Sequence, residues 1–122
     1  MTQQSSLAET VRRYYRAYET KDREAIEALL TPDFRFSSPL DDRIDRATYF
    51  DKCWPNSERT QSFDIKRLWE QDGEVFVHYE LRPITGESFQ NAELLIGDGN
   101  RIREVIVFFG RGRGTVGDNA QA

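Results

Sequence analysis

Large apolar residues recur at helical spacing in the first third of the chain and at a spacing of two in its second half. After Ser6, the apolar side chains fall on one helical face, while arginines and glutamates occupy the other. Ser6 and Glu9 have the spacing of a capping box, which begins such a helix. The buried stripe of this first helix would consist of Leu7, Val11, Tyr14, Tyr15 and Tyr18.

Two further helices and one short strand are predicted before residue 60. Asp22 is placed to cap a second helix, which Pro32 prevents from continuing. Alternating phenylalanines predict a short strand at residues 34–37, and a polar loop follows at residues 41–45. A third helix is then expected to end at Pro55. Its buried stripe would consist of Tyr49, Phe50, Cys53 and Trp54.

The second half of the chain has the pattern of an antiparallel meander. Four strands are predicted at about 60–71, 74–84, 88–97 and 101–109, separated by turn pairs such as that at residues 72–73. Helices followed by long strands indicate an α+β fold, in which three N-terminal helices pack on one face of the sheet. Because long sheets twist strongly, such a sheet leaves a conical hollow that can hold a ligand.

Composition narrows the function classes. The 122 residues suit one domain, expected at residues 1–110, with a polar and disordered tail at residues 111–122. The net charge of −4 offers no basic surface for nucleic acid, since Arg111 and Arg113 form the only basic cluster. With Cys53 as the single cysteine, no intrachain disulfide can form. The absence of a signal peptide or a long apolar run predicts a cytoplasmic protein that does not engage a membrane.

The order of elements has a counterpart among known families. With VRRYYRAYETKDREAIEALLTPDFRFSSP at the front and GDGNRIREVIVFFG at the back, the chain resembles the nuclear transport factor 2-like superfamily, within it the SnoaL-like and ketosteroid isomerase-like group. The resemblance covers residues ~7–110. It implies a cone-shaped, cystatin-like roll whose curved mixed or antiparallel sheet encloses a pocket. The superfamily contains isomerases, hydrolases, dehydratases and polyketide cyclases, and also members that only bind or dimerise.

The resemblance also implies roles for individual residues. Tyr14, eight residues before Asp22, corresponds to the ketosteroid isomerases' oxyanion-hole tyrosine. Their catalytic aspartate corresponds to Ser38, and a serine cannot act as their carboxylate base. Their second oxyanion donor, a protonated aspartate, falls near residues 91–93.

Glu93 is the acid most suited to proton transfer, provided that its strand face is the inner one. It would then lie beside Phe89, Asn91 and Leu95, where desolvation disfavours the ionised carboxylate. The alternate positions of the same strand are more apolar, and in that register Glu93 points to solvent. Tyr14 and Glu93 are therefore the candidate catalytic residues, with both registers open. The side chains expected to bind the ligand are Tyr18, Phe36, Ser38, Trp54, Tyr79, Asn91 and Phe109.

Other polar residues are expected to be structural. His78 should lie on the outer sheet face, paired with Glu80, because its apolar neighbours face the helices. Cys53 has no assured base beside it and is expected to be a buried hydrophobe. The aspartates of residues 41–45 should be solvated, with Asp45 as a helix cap. We therefore expect no metal site and no cofactor.

The last strand has two apolar faces. Ile106 and Phe108 alternate with Val105, Val107 and Phe109, so one face needs cover from outside the domain. A homodimer through the outer sheet face is the simplest cover. Two functions stay open: a cofactor-independent isomerase, dehydratase, cyclase or hydrolase acting on a compact, largely apolar molecule, or a non-catalytic ligand-binding or dimeric accessory module.

Overall fold

A computed structural model of the chain describes residues 6–110, so the predicted tail at 111–122 lies outside the described residues. The described chain has three α-helices, one 3-10 helix and six strands. In chain order these are α1 (Leu7–Thr20), α2 (Arg23–Leu29), β1 (Leu30–Ser38), β2 (Asp41–Asp45), α3 (Arg46–Lys52), the 3-10 helix (Trp54–Arg59), β3 (Thr60–Gln71), β4 (Glu74–Pro83), β5 (Phe89–Asp98) and β6 (Arg101–Phe109).

The first two helices begin at the predicted caps. The Glu9 backbone N–H donates to Ser6 Oγ at 3.1 Å, and the Ala25 N–H donates to Asp22 Oδ1 at 3.1 Å. Lys21, with φ of 59°, turns the chain sharply between the two helices. α1 buries the predicted stripe and also Thr10 and Ala17.

The six strands form one curved mixed sheet in the order β2-β1-β6-β5-β4-β3. β3 to β6 form the predicted antiparallel meander, with bounds within about one residue of those expected. β1 pairs with the last strand in parallel, for example Phe36 opposite Val105. Register shifts between Ile65 and Arg67 on β3 interrupt the ladder there.

The segment after β1 differs from the prediction. Residues 41–45, expected as a loop, form strand β2, which pairs antiparallel with β1. The sequence hides this strand because it is a short edge strand, where charged side chains are favoured. Pro55 does not end the third helix: α3 ends at Lys52, and Pro55 lies in the first turn of the 3-10 helix. Proline is tolerated there because a first-turn N–H has no helical partner.

The core lies between the helices and the inner face of the sheet. On β4 the inner positions are Val75, Val77, Tyr79 and Leu81, all at most 3% exposed. On β5 the inner positions are Phe89, Asn91, Glu93 and Leu95, of which two are polar. None of the helices within residues 6–110 has the length and apolar character needed to cross a membrane.

Candidate functional site

All five tyrosines of the chain lie together in the interior, each at most 3% exposed. We call this group, with Glu93 and Asn91, the tyrosine cluster. Its tyrosines are Tyr14, Tyr15, Tyr18, Tyr49 and Tyr79. α1 supplies three of them, because residues four apart share a helix face and Tyr15 lies next to that stripe. α3 and β4 supply one each.

Glu93 supplies the one carboxyl group of this cluster and is 2% exposed. The Tyr15 hydroxyl donates to Glu93 Oε1 at 2.8 Å, and the Tyr79 hydroxyl donates to Oε2 at 2.6 Å. Asn91 Nδ2 in turn donates to the Tyr79 oxygen at 3.3 Å. Glu93 therefore lies on the inner face of β5. The alternative register, with Glu93 in solvent, is wrong, because two phenols satisfy the carboxylate that the core would otherwise exclude.

Burial raises the pKa of Glu93 to about 7, although the hydrogen bonds from Tyr79 and Tyr15 act in the opposite direction. Burial also raises the pKa values of Tyr15 and Tyr79, so both phenols stay protonated near neutral pH. A carboxyl group that titrates near neutrality can both accept and return a proton. Neutral phenols beside it can donate hydrogen bonds to an oxygen that becomes negative during a reaction.

Tyr14 makes no hydrogen bond to Glu93 among the described residues. Its hydroxyl lies 2.9 Å from the Tyr49 hydroxyl, which also lies 2.6 Å from the Tyr18 hydroxyl, and either oxygen of each pair can donate. Tyr49 is therefore the shared partner of a three-phenol chain beside the Glu93 network. On α1, the phenol that donates to Glu93 is Tyr15, whereas Tyr14, the predicted oxyanion donor, pairs with Tyr49.

Aromatic rings surround the cluster on several sides. Tyr15 lies 4.9 Å from Phe63 between ring centroids, Tyr18 lies 4.9 Å from Trp54, and Tyr49 lies 5.1 Å from Phe36. Of the expected ligand-binding residues, the fold thus brings Tyr18, Phe36, Trp54, Tyr79 and Asn91 to the cluster or its walls. Phe109, at the end of β6, is half-buried and packs against the same core.

Ser38 belongs to a different network. Its hydroxyl donates to Asp41 Oδ2 at 2.8 Å, and Lys52 Nζ donates to Asp41 Oδ1 at 2.9 Å. Asp41 is 8% exposed, so the expectation that it is solvated is wrong. Its carboxylate is stabilised by the lysine and by the serine that ends β1. The expected cap is confirmed: the Thr48 N–H donates to Asp45 Oδ1 at 2.9 Å.

His78 and Cys53 lie outside the candidate chemistry. His78 is on the outer sheet face as expected, but its partners are Gln90 Oε1 at 2.7 Å and Arg67 at 3.2 Å, not Glu80. Glu80 instead pairs with Lys66 at 3.4 Å. Burial raises the pKa of the Cys53 thiol to about 12, which leaves it a poor nucleophile. Among the described residues, no three His, Cys, Asp or Glu side chains are grouped to hold a metal ion.

Sequence reasoning missed two members of the cluster. The apolar pattern predicts Tyr15 and Tyr49 on the buried faces of their helices but does not predict that they belong to the site. The signal for Tyr15 was present, because a phenol buried on the core face of α1 needs a hydrogen-bond partner and a buried acid supplies one.

Comparison with known proteins gives a family and a fold. The model of the SnoaL-like domain family matches residues 11–109. No curated protein sequence matches the chain.

Several solved structures are similar. An NTF2-like protein of unknown function from Cytophaga hutchinsonii is 19% identical with a TM-score of 0.73, over 90% of this chain and 95% of that one. A candidate ketosteroid isomerase from Kribbella flavida is 19% identical with a TM-score of 0.72, over 90% and 82%. An LEH-like epoxide hydrolase from M. tuberculosis is 20% identical with a TM-score of 0.71, over 85% and 82%. At this identity the likeness establishes the NTF2-like fold.

Proposed function

The chain belongs to the SnoaL-like domain family, and we propose that it is a cofactor-independent enzyme that uses Glu93 to move a proton on a compact, largely apolar molecule. One observation carries this proposal: a buried carboxyl group, with a pKa of about 7, accepts hydrogen bonds from the two phenols of Tyr15 and Tyr79. Such a group is costly to bury, and perturbed acids are concentrated at functional sites.

The geometry suits proton abstraction beside a carbonyl group. A bound carbonyl oxygen would take over the hydrogen bond of one phenol, which frees an oxygen of Glu93. The carboxylate then accepts a proton from the adjacent carbon, and the electron pair moves to the carbonyl oxygen as an enolate. Return of the proton to another carbon gives an isomer, whereas attack of the enolate carbon on a second carbonyl gives a cyclised product. The aromatic walls would shape the apolar pocket of a cone-shaped, cystatin-like roll.

Deuterium exchange tests this role without knowledge of the substrate. The protein is incubated in D₂O with neutral cyclic ketones, β,γ-unsaturated ketones, steroids and polyketide-like aromatic ketones, and with aromatic and alicyclic keto acids. NMR follows loss of the proton beside the carbonyl. We expect exchange of at least one ketone above the buffer rate. Glu93→Gln should abolish it, and Glu87→Gln, at an exposed position outside the strands, should not. No exchange with any of these ketones would refute proton abstraction by Glu93.

A second function, a non-catalytic binding or accessory module, is favoured by a different observation. The rings of Tyr15, Phe63 and Tyr79 contact one another with centroids 4.9–5.4 Å apart beside Glu93. Close packing of this kind is also what a purely structural network would show. The exchange experiment separates the two functions, because a structural carboxylate does not exchange substrate protons.

We further propose that the protein is a homodimer through the outer sheet face. One apolar row crosses four strands there: Trp69 pairs with Phe76, Phe76 with Leu94, and Leu94 with Ile106. The row ends on the edge strand β3, where the Trp69 side chain is 61% exposed. A second copy would bury the same row against itself, as a two-fold interface requires.

Light scattering coupled to size-exclusion chromatography tests the dimer. We expect a dimer mass at micromolar concentration, and a monomer mass for Trp69→Lys. Ile84→Lys is the matched control, because Ile84 is also exposed, at 55%, but follows the end of β4. A monomer in the unsubstituted protein would refute the interface.

A further inference from the structure

A groove runs between α1 and the edge strand β3, beside the tyrosine cluster. We call it the α1–β3 groove; its volume is about 370 Å³. Its apolar surface comes from the partly buried Phe63 and Ile65, and Tyr15, 2% exposed, lies beneath them. Arg12 and Arg16, one helical turn apart on the exposed side of α1, stand along its edge. The groove therefore combines an apolar floor with cationic side chains.

The side chains of Arg12 and Arg16 point to no hydrogen-bond or ion-pair partner within the described chain. Neither makes a side-chain hydrogen bond or ion pair among residues 6–110. Like charges four residues apart on a helix repel each other, and Glu9 and Glu19 lie three residues from Arg12 and Arg16 on the same helix. Around the groove, three arginines face two glutamates, although the whole chain carries a charge of −4.

One of those glutamates is already engaged. The Phe63 N–H donates to Glu19 Oε2 at 2.8 Å, which ties the last turns of α1 to β3. At the other end, the Ala8 N–H donates to Glu70 Oε1 at 3.0 Å. α1 and β3 are thus joined by hydrogen bonds at both ends of the groove, and the packed rings of Tyr15 and Phe63 lie at its floor.

Tyr15 connects the groove to the candidate catalytic group. Its ring forms part of the groove wall, while its hydroxyl donates to Glu93 at 2.8 Å. A single side chain therefore separates a ligand in the groove from the buried carboxyl.

We propose that the α1–β3 groove binds a carboxylate-bearing amphiphilic ligand, with its anionic group on Arg12 and Arg16 and its apolar part over Tyr15, Phe63 and Ile65. The guanidinium groups supply paired N–H donors that match a carboxylate. This inference rests on the proposed function, since it names the substrate class of the Glu93 site: an aromatic or alicyclic keto acid. When the ligand binds, the Tyr15 hydroxyl would donate its hydrogen bond to the ligand instead of to Glu93.

Two probes of equal shape and different charge test the proposal: 2-naphthylacetate and 2-naphthylacetamide, measured by isothermal titration calorimetry with the full chain. We expect the carboxylate to bind about tenfold more tightly than the amide, the order of effect of one charge-assisted hydrogen bond. The Arg12→Gln/Arg16→Gln double variant should remove that preference, so that the carboxylate and the amide bind it with equal affinity. The preference should also weaken with added NaCl. Arg82→Gln is the matched control. Arg82 is exposed like Arg12 and Arg16, but it does not line the groove: it lies on the outer face of β4, since its neighbour Leu81 is buried on the inner face.

Each result bears on one proposal separately. Equal affinity for the two probes, no binding of the carboxylate, or a preference that survives the double variant would overturn the anion site. Exchange of neutral ketones in D₂O would then still support Glu93 as the base. Conversely, an arginine-dependent preference without any ketone exchange would keep the groove and refute proton transfer by Glu93.

Discussion

Replacing Glu93 by glutamine should change how the stability of the protein depends on pH. The folded chain raises the pKa of this carboxyl from 4.5 to about 7, because burial disfavours the charge. Between these two values the folded state holds a proton that the unfolded state has lost. The free energy of unfolding therefore falls as pH rises through this window. The stabilisation is complete below the unfolded pKa and lost once pH passes the folded value.

The size of the effect follows from the same shift. Each pKa unit corresponds to about 1.4 kcal/mol, so the free energy of unfolding of the wild-type protein should fall by about 2.5 kcal/mol between pH 5 and pH 8, whereas that of the glutamine variant should not. For a domain of this size, that difference is roughly 10 °C in melting temperature. The other carboxyls with shifted pKa values, Asp45 and Asp64, are lowered and lose stability only at more acidic pH.

Urea unfolding at pH 5, 6, 7 and 8 measures the effect, at one fixed protein concentration because a dimer's stability depends on it. Glu87→Gln, at an exposed position, is the control and should follow the wild-type curve. If the Glu93→Gln and wild-type stabilities stay parallel from pH 5 to 8, Glu93 titrates as in the unfolded chain. The reasoning from its burial would then be refuted.

Three further changes test individual contacts. Tyr79→Phe removes a donor to the Glu93 carboxylate, so the midpoint of the pH-dependent loss should move upward, and a downward move would contradict this role. Tyr49→Phe takes away the shared partner of two buried phenols and should cost about 1–3 kcal/mol in urea unfolding; a cost below about 0.5 kcal/mol would show that the phenols find other partners. Gly110→Ala places a Cβ 2.6 Å from the Gln90 carbonyl oxygen, a backbone atom paired within the sheet, and should cost about 1–3 kcal/mol in urea unfolding; an unchanged stability would show that the backbone shifts freely there.

Periodicity predicted most of the fold because most elements bury one regular face. α1, α2 and the four meander strands have a repeating apolar stripe and standard caps or turns, so their positions follow from local sequence. β2 lacks such a stripe, since only Ile44 of its five residues is apolar. The pairing of β1 with β6 could not be read locally either, because it joins distant parts of the chain.

The candidate site was harder to predict for a physical reason. Counting apolar residues on β5 favours the wrong face, since the inner face carries Asn91 and Glu93 and the outer face carries Leu94 and Ile96. Asn91 and Glu93 can be buried because tyrosine hydroxyls from other elements form hydrogen bonds with them. Those partners, Tyr15 and Tyr79, come together through packing that no single stretch of sequence reveals.

The parallel pairing of β1 with β6 has a consequence for biosynthesis. Until β6 has left the ribosome, β1 and β2 have no neighbour through which to join the meander, and β5 has an unpaired edge. We therefore expect the nascent chain to stay incompletely folded until Phe109 has emerged from the ribosome. Folding should also be slow for a domain of this length, because the pairing of β1 with β6 joins residues as distant in sequence as Phe36 and Val105. A translation pause before β6 would expose two strand edges to aggregation.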